Sequence, residues 1–315
     1  MRYLITLKPL KYFFFGSEQT FGEGEAQNYF AKSTLFPQQS AVLGMLKKEI
    51  LKKEGLITRK IKDEWGEDKE AIEEIIGKDK FAIDATEDLD HGKIDSISEV
   101  MLYRDDEFFW VMKDIFDLDI EFDDEVLVRF NPKEGISDIL VSNMGNINKN
   151  LPFKSKIEVG NKKKSDEDGF FKKEVFCLKN NFCFAFFVKG DYDFLKLDGS
   201  FVKLGADDSR FLMSVKEFND EVSPKITLNK DIKNVYLLLS DAYIPDIKDI
   251  VDFGITDEIT FKFLTKNDKS GVKKSKLYHF YKRGSILFNL KDESKITQYK
   301  SLTQIGYNKL KRIEK

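Results

Sequence analysis

The sequence predicts an α+β protein, and three observations carry that expectation. Residues 2–8, "RYLITLK", alternate apolar and polar side chains as a half-buried strand does. Residues 39–54 place Val42, Leu43, Leu46 and Ile50 on one helical face and stop at Gly55. Beyond residue 170, short β-branched and aromatic runs follow one another between Gly, Asn and Asp turns. With 315 residues, 41% hydrophobic and 34% charged, the chain has material for one large domain or two ordinary ones.

Taken in order, "EDKEAIEEII" (67–76) reads as a short helix ended by Gly77, and "EFFWVMKDIFDL" (107–118) as a buried helix. "EVLVRF" (125–130) and "ISDILVS" (136–142) read as strands, and "GNKKKSDEDG" (160–169) as a solvated loop tip. "EVFCLKNNFCFAFFV" (174–188) predicts two strands of a hairpin turning at Lys179-Asn180-Asn181. "FLKLDGSFVKLG" (194–205) predicts another, turning at Asp198-Gly199, and "KLYHFYKRGSILFNL" (276–290) a third, turning at Arg283-Gly284. "FLMSV" (211–215), "NVYLLLS" (234–240) and "EITFKFL" (258–264) add further strands.

Apolar runs such as "FCFAFFV" (182–188) fall far short of the roughly 20 residues of a membrane span. An opening that alternates like a strand, two cysteines and abundant lysine predict a cytoplasmic protein. The net charge of −3 hides a polarity: residues 62–125 hold 24 acidic against 7 basic residues, and residues 262–315 hold 15 basic against 4 acidic. That asymmetry predicts two different partners or surfaces, with a polyanion the natural partner of the basic end.

Catalytic signatures are missing from the sequence. There is no His-Glu-x-x-His, Walker-type glycine loop, Gly-x-Ser-x-Gly or Cys-x-x-Cys. Asp84, Glu87, Asp88, Asp90 and Asp95 lack the spacing of a calcium loop and read as a solvated face. Cys177 and Cys183, facing each other across the expected hairpin, have no histidines beside them and read as ordinary buried cysteines. His279 has the chemistry of a general base for RNA cleavage, but no companion is identifiable. We expect no catalytic residue, no metal and no cofactor.

What remains are glycine-marked turns beside basic and aromatic residues: "KLGADDSRF" (203–211), "YKRGSILF" (281–288) and "QIGYNKLKR" (304–312). Glycine lets a backbone approach a phosphate closely, lysine and arginine neutralise phosphates, and tyrosine offers a stacking face. Together they favour an RNA-binding module. A helix beginning near Ser40, in "FPQQSAVLG" (36–44), adds amides able to hold a phosphate, or simply packs behind the aromatic segment "KYFFFGSEQTFGEGE" (11–25). Lys203, Arg210, Lys282 and Arg283 lie within two residues of a motif glycine or serine and are placed nearest the RNA. Tyr307 has two readings, a stacking face or an aromatic that closes the core beneath its loop.

The order of these motifs resembles the third subunit of type III-B (Cmr) CRISPR effectors, RAMP proteins of the Cas-five group. The resemblance runs through "LKPLKYFFFGSEQTFGEGE" (7–25), "STLFPQQSAVLGMLKKEIL" (33–51), "LGADDSRF" (204–211), "LLLSDAYIPD" (237–246), "RGSILF" (283–288) and "QIGYN" (304–308). It departs in the single glycine of the last loop and in the acidic 62–125 region, which reads as a lineage-specific insertion. The resemblance implies two ferredoxin-like (RAMP/RRM-like) domains, with insertions and glycine-marked hairpins, at 1–220 and 221–315. It implies a non-catalytic subunit of a hetero-oligomeric ribonucleoprotein that holds the 5′ handle of the CRISPR RNA. Its protein partners would be the large polymerase-palm subunit and the first backbone subunit. The implied contact set is Phe14, Gly16, Gln38, Gln39, Ser40, Lys203, Gly205, Arg210, Lys282, Arg283, Gly284, Ser285, Gly306, Tyr307 and Asn308. Three other readings stay open: a RAMP-type processing endoribonuclease using His279, the equivalent subunit of a type III-A effector, and a protein-only scaffold.

Overall fold

A computed structural model describes residues 1–16, 30–57, 69–123, 126–131, 135–162, 169–228, 232, 234–267 and 271–314. Its centre is a nine-stranded sheet. The order is Ile147–Asn148, Asp138–Ser142, Glu107–Lys113, Met101–Arg104, Cys183–Gly190, Arg2–Pro9, Arg210–Glu217 and Phe201–Lys203, with Ile94–Ile97 also pairing with Cys183–Gly190. The inner strands are buried on both faces. Phe184, Phe186 and Val188 point into one core, Ala185 and Phe187 into another, and Phe109 and Val111 are split in the same way from Phe108, Trp110 and Met112.

Double burial explains a correction. The 107–118 stretch carries apolar residues continuously because both of its faces are covered, and it forms the strand Glu107–Lys113, not a helix. The acidic 62–125 region is likewise no appended insertion across its length, since Ile94–Ile97, Met101–Arg104 and Glu107–Lys113 are strands of the central sheet. The expected strand at 2–8 and the helices appear as Arg2–Pro9, Gln39–Lys53 and Lys69–Ile76, with Gly55 and Gly77 at positive φ after the helices. The reading of the 160–169 tip falls largely outside the described residues.

On one face of the sheet lies the Gln39–Lys53 helix, with Val42, Leu43, Leu46 and Ile50 buried. On the other lies a four-stranded sheet ordered Val251–Ile255, Ile286–Leu290, Val235–Leu238, Leu310–Arg312, contributing Val235, Leu237, Ile286 and Phe288 to the shared core. A third sheet pairs Phe153–Lys162, Gly169–Leu178, Phe30–Thr34 and Phe15–Gly16 in that order, the middle pair being parallel.

The three expected hairpins are corrected by this pairing. Gly169–Leu178 and Cys183–Gly190 are consecutive strands, but they belong to different sheets. Cys177 and Cys183 therefore do not face each other; both are free and half-buried, and burial raises the Cys183 thiol to about 12. Residues 194–197 form a 3₁₀ turn, and the hairpin lies one step later, between Phe201–Lys203 and Arg210–Glu217. Tyr278–Tyr281 pairs with Glu258–Phe261, while Ile286–Leu290 joins the four-stranded sheet, so the chain changes sheets at Arg283-Gly284. In each case a turn signal marks a reversal of the chain without selecting the partner strand.

Part of the acidic stretch is spent on its own backbone. The Asp90 carboxylate accepts from the Gly92 amide at 2.8 Å and the Lys78 amide at 3.1 Å, and Asp79 accepts from the Asp90 amide at 2.7 Å. This loop carries His91 against the helix, its Nδ1 3.3 Å from Lys47 Nζ. His91 is 2% exposed, and burial, reinforced by the Lys47 charge, lowers its pKa to about 4. The unfolded histidine takes its proton near pH 6.5, so between those values the unfolded state binds more protons and stability falls on acidification. The expected result is an extra loss of at most about 1.4 kcal/mol per pH unit between pH 6.5 and 4. Urea denaturation across that range should show a flatter acid limb for His91→Gln than for the unaltered chain.

Candidate nucleic-acid interface

The glycine turns come together in two places. At the first, Phe14 meets the 204–209 turn: its amide donates to Ser209 Oγ at 2.9 Å, and its carbonyl accepts from the Ala206 amide at 2.9 Å. Gly205 has φ +90°, and a Cβ there would lie 2.5 Å from the Phe14 carbonyl oxygen, so only glycine fits. Gly16 pairs with Ser33 at the start of the third sheet. Lys203 and Arg210 stand exposed on either side of this turn, both paired with the single carboxylate of Asp208. Asp207 in the same turn is held by Lys173 at 3.0 Å, so carboxylates match the cations here. The neighbouring chain adds residues that the sequence reading passed over: exposed Lys8 and Lys11, and Tyr12 with Lys156 Nζ 5.3 Å from its ring centroid.

The second place is the seam between the Gln39–Lys53 helix and the C-terminal strands, where most of the expected contact residues turn inward. Arg283 is buried: its amide and Nε donate to Asp241 Oδ1 at 2.9 and 3.3 Å, Nη2 to Oδ2 at 3.2 Å, and Nη1 to the Val100 carbonyl at 2.7 Å. Its guanidinium carbon lies 4.3 Å from the centroid of Phe36. Three of its five N–H donors are spent inside the protein and the residue is 5% exposed, so it serves the seam rather than a phosphate. Ser285 is buried and donates to the Lys282 carbonyl at 2.6 Å. Asn308 is buried, accepting from the Tyr243 amide at 2.8 Å and donating to the Ile296 carbonyl at 2.7 Å.

Tyr307 takes the core reading, 1% exposed, with Phe261 and Phe280 within 5.8 Å centroid to centroid. Gln39 is fully buried, its Nε2 donating to the Ser98 and Ile305 carbonyls at 2.7 and 2.8 Å. Gly306, at φ +91°, packs against that amide. Tyr307 lies against the hydroxyl and amide of Ser40, which oppose the rise that burial imposes on its phenol pKa. The Ser40 end of the helix thus packs against the Gly306-Tyr307 loop. Gly284, at φ +86°, sits close against Val111 and joins the same internal seam.

Beside this seam opens a cavity of about 590 Å³. One wall is the Phe30–Thr34 strand and its continuation, with Lys32, Thr34, Leu35, Phe36 and Gln38; the other is the Glu258–Phe261/Tyr278–Tyr281 pair, with Glu258, Ile259, Thr260 and His279. Lys282 and Arg283 complete it. Of the expected residues, Gln38 and Lys282 thus reach a ligand-sized space, and Arg283 forms its floor. Lys282 is half-buried, 3.8 Å from Asp138 and 4.0 Å from Asp257. Asp257 is also held by Lys113 at 2.6 Å, which lowers its pKa. His279 Nδ1 is 3.9 Å from Glu258 Oε2. Lys32, Thr34 and Ile259 were missed as wall residues, because nothing local in "FAKSTLF" shows which strand will face it.

The Phe30–Thr34 strand joins the two places. Phe15 donates its amide to Ser33 Oγ at 2.8 Å, and Lys32 turns into the cavity. The strand thus connects the Phe14–Ala206 turn, through its pairing with Phe15–Gly16, to the cavity.

Since Arg283 is a structural ion, Arg283→Ala strands Asp241 without its partner. The expected cost is about 3–5 kcal/mol of stability, read as a lowered urea midpoint. A variant of unchanged stability would show that the seam does not depend on this pair.

A family model, Cas_Cmr3, describing a CRISPR-associated protein, matches residues 5–110. Two chains from type III-B Cmr-beta structures share the fold over the whole length. One, from the complex bound to cognate target RNA, is 17% identical with a TM-score of 0.55, covering 99% of this chain and 96% of that chain. The other, from the complex bound to cognate target RNA and AMPPnP, is 16% identical with a TM-score of 0.53, covering 98% and 96%. Among curated proteins none matches the sequence. The resemblance to Cmr subunits read from the motifs is borne out by the family match and the shared fold. Among the described residues no helix is long and apolar enough to cross a membrane.

Proposed function

We propose that this chain, a type III-B Cmr RAMP-like subunit by its family match and its fold, is the non-catalytic subunit that holds the 5′ handle of the CRISPR RNA. In this reading it works in the cytoplasm and bridges the large polymerase-palm subunit to the backbone subunits. The chain is divided into two ferredoxin-like units, 1–220 and 221–315. The observation that carries the reading is the cavity edged by Lys32 and Lys282, at the end of the Phe30–Thr34 strand, in a chain that shares the fold of the Cmr-beta chains. Lysines along such a path neutralise phosphates, and the half-buried Tyr12, with Lys156 beside its ring, adds aromatic surface. The RNA contacts are reassigned accordingly: Lys32, Lys282, Lys203, Arg210 and Tyr12 meet the RNA, while Arg283, Ser285, Tyr307 and Asn308 hold the wall behind it.

Two phosphate contacts removed from a guide-binding surface flatten the salt dependence by a predictable amount. A Lys32→Ala, Lys282→Ala double variant should weaken guide RNA binding by the assembled complex whatever the sequence, and reduce the slope of log affinity against log salt by about 2. An unchanged slope would place the RNA elsewhere.

His279 serves as a wall residue in this reading. It is exposed and 3.9 Å from Glu258, and among the described residues no hydrogen bond orients its ring. His279→Ala should leave target RNA cleavage by the assembled complex near the unaltered rate. A loss of several orders of magnitude with assembly intact would favour the endoribonuclease reading.

A further inference from the structure

We propose that the cavity reads a base, and that Glu258 is the residue that reads it, with guanine as the base. The inference rests on the RNA-binding reading above. A carboxylate beside an RNA path is repelled by phosphates and contributes to binding there where it accepts from a base's N–H donors. Two carboxylates line this cavity. Asp241 is engaged on both oxygens by Arg283. Glu258 is not: its side chain is 60% exposed, and among the described residues its charged neighbour is His279 at 3.9 Å, beyond hydrogen-bond range.

Strand register sets the arrangement. Glu258 and Thr260 alternate to the open face of their strand while Phe261 enters the core, and Thr260 stands opposite His279. Across the cavity, the half-buried Leu35 supplies apolar wall for a base plane, and Lys32 and Lys282 supply charge for flanking phosphates. A space of about 590 Å³ takes one extruded nucleotide. The two oxygens of a carboxylate accept two parallel N–H donors. In RNA, guanine alone presents such a pair on its Watson–Crick edge, N1–H and N2–H.

The test uses the assembled complex carrying the full chain. Its co-purified guide RNA is sequenced and resynthesised, with each guanine replaced in turn by inosine, which lacks the N2 amine. Binding is measured for the unaltered chain and for Glu258→Gln, an exposed substitution checked by its thermal transition. We expect one position at which inosine weakens binding about tenfold to a hundredfold in the unaltered chain. In Glu258→Gln that discrimination falls to about twofold or less, because the amide replaces one acceptor with a donor. Three results would overturn the assignment. Inosine has no effect at any position; Glu258→Gln keeps the same discrimination; or Glu258→Gln tightens binding to every RNA alike, the mark of a charge that merely repels backbone. Loss of a protein partner from Glu258→Gln with RNA binding unchanged would also overturn it. Failure of the underlying reading looks different: the Lys32→Ala, Lys282→Ala double variant then binds the guide with an unchanged affinity and salt slope.

Discussion

The strand Cys183–Gly190 turns neither of its faces to water, and the architecture is organised to keep it so. A sheet covered on both sides needs two separate layers. The chain supplies one with the Gln39–Lys53 helix and the other with the four-stranded sheet built from residues 235–312. Because Val235, Leu237, Ile286 and Phe288 share a core with Leu4, Trp110 and Phe187, the C-terminal sheet completes the burial that the N-terminal strands begin. Apolar burial on this scale is the dominant favourable term in folding, and it is available only when both layers are in place.

That packing leaves the ionisable groups to the seams, where desolvation makes each of them need a partner. Arg283 finds Asp241, the Val100 carbonyl and the face of Phe36, and so ties the turn after Tyr281 to the central sheet and to the entrance of the helix. Lys113 finds Asp138 at 3.0 Å and Asp257 at 2.6 Å, tying the central sheet to the strand pair that walls the cavity. The cavity is a consequence of these ties: its floor is a buried ion pair and its walls are strands held at fixed register. A site set on such elements is held in place more firmly than one on loops.

The polarity of the chain acquires a spatial meaning in this frame. Acidic residues such as Asp79 and Asp90 satisfy backbone amides and press His91 onto the helix, so part of the negative charge serves the fold itself. The cations named as RNA contacts are less committed. Lys203 and Arg210 share one carboxylate, and among the described residues Lys32 has no carboxylate partner.

Much of this was legible in the sequence because it is local. The Arg2–Pro9 strand, the Gln39–Lys53 helix with Gly55 beyond it, and the close meeting implied by Gly205 follow from periodicity and from backbone conformations that few residues adopt. The order of the motifs carried the family resemblance for the same reason. What the sequence did not determine is pairing and depth. "EFFWVMK" has one composition whether it is a buried helix or a doubly buried strand, and a turn at Arg283-Gly284 does not say that its two flanks will join different sheets. Nor does a tyrosine beside a glycine, or an arginine beside a serine, declare which side of the backbone water will occupy. Tyr307 and Arg283 look like surface ligands in one dimension and are interior in three. Burial is a property of contacts between residues distant along the chain, and those contacts exist only once the two halves have packed.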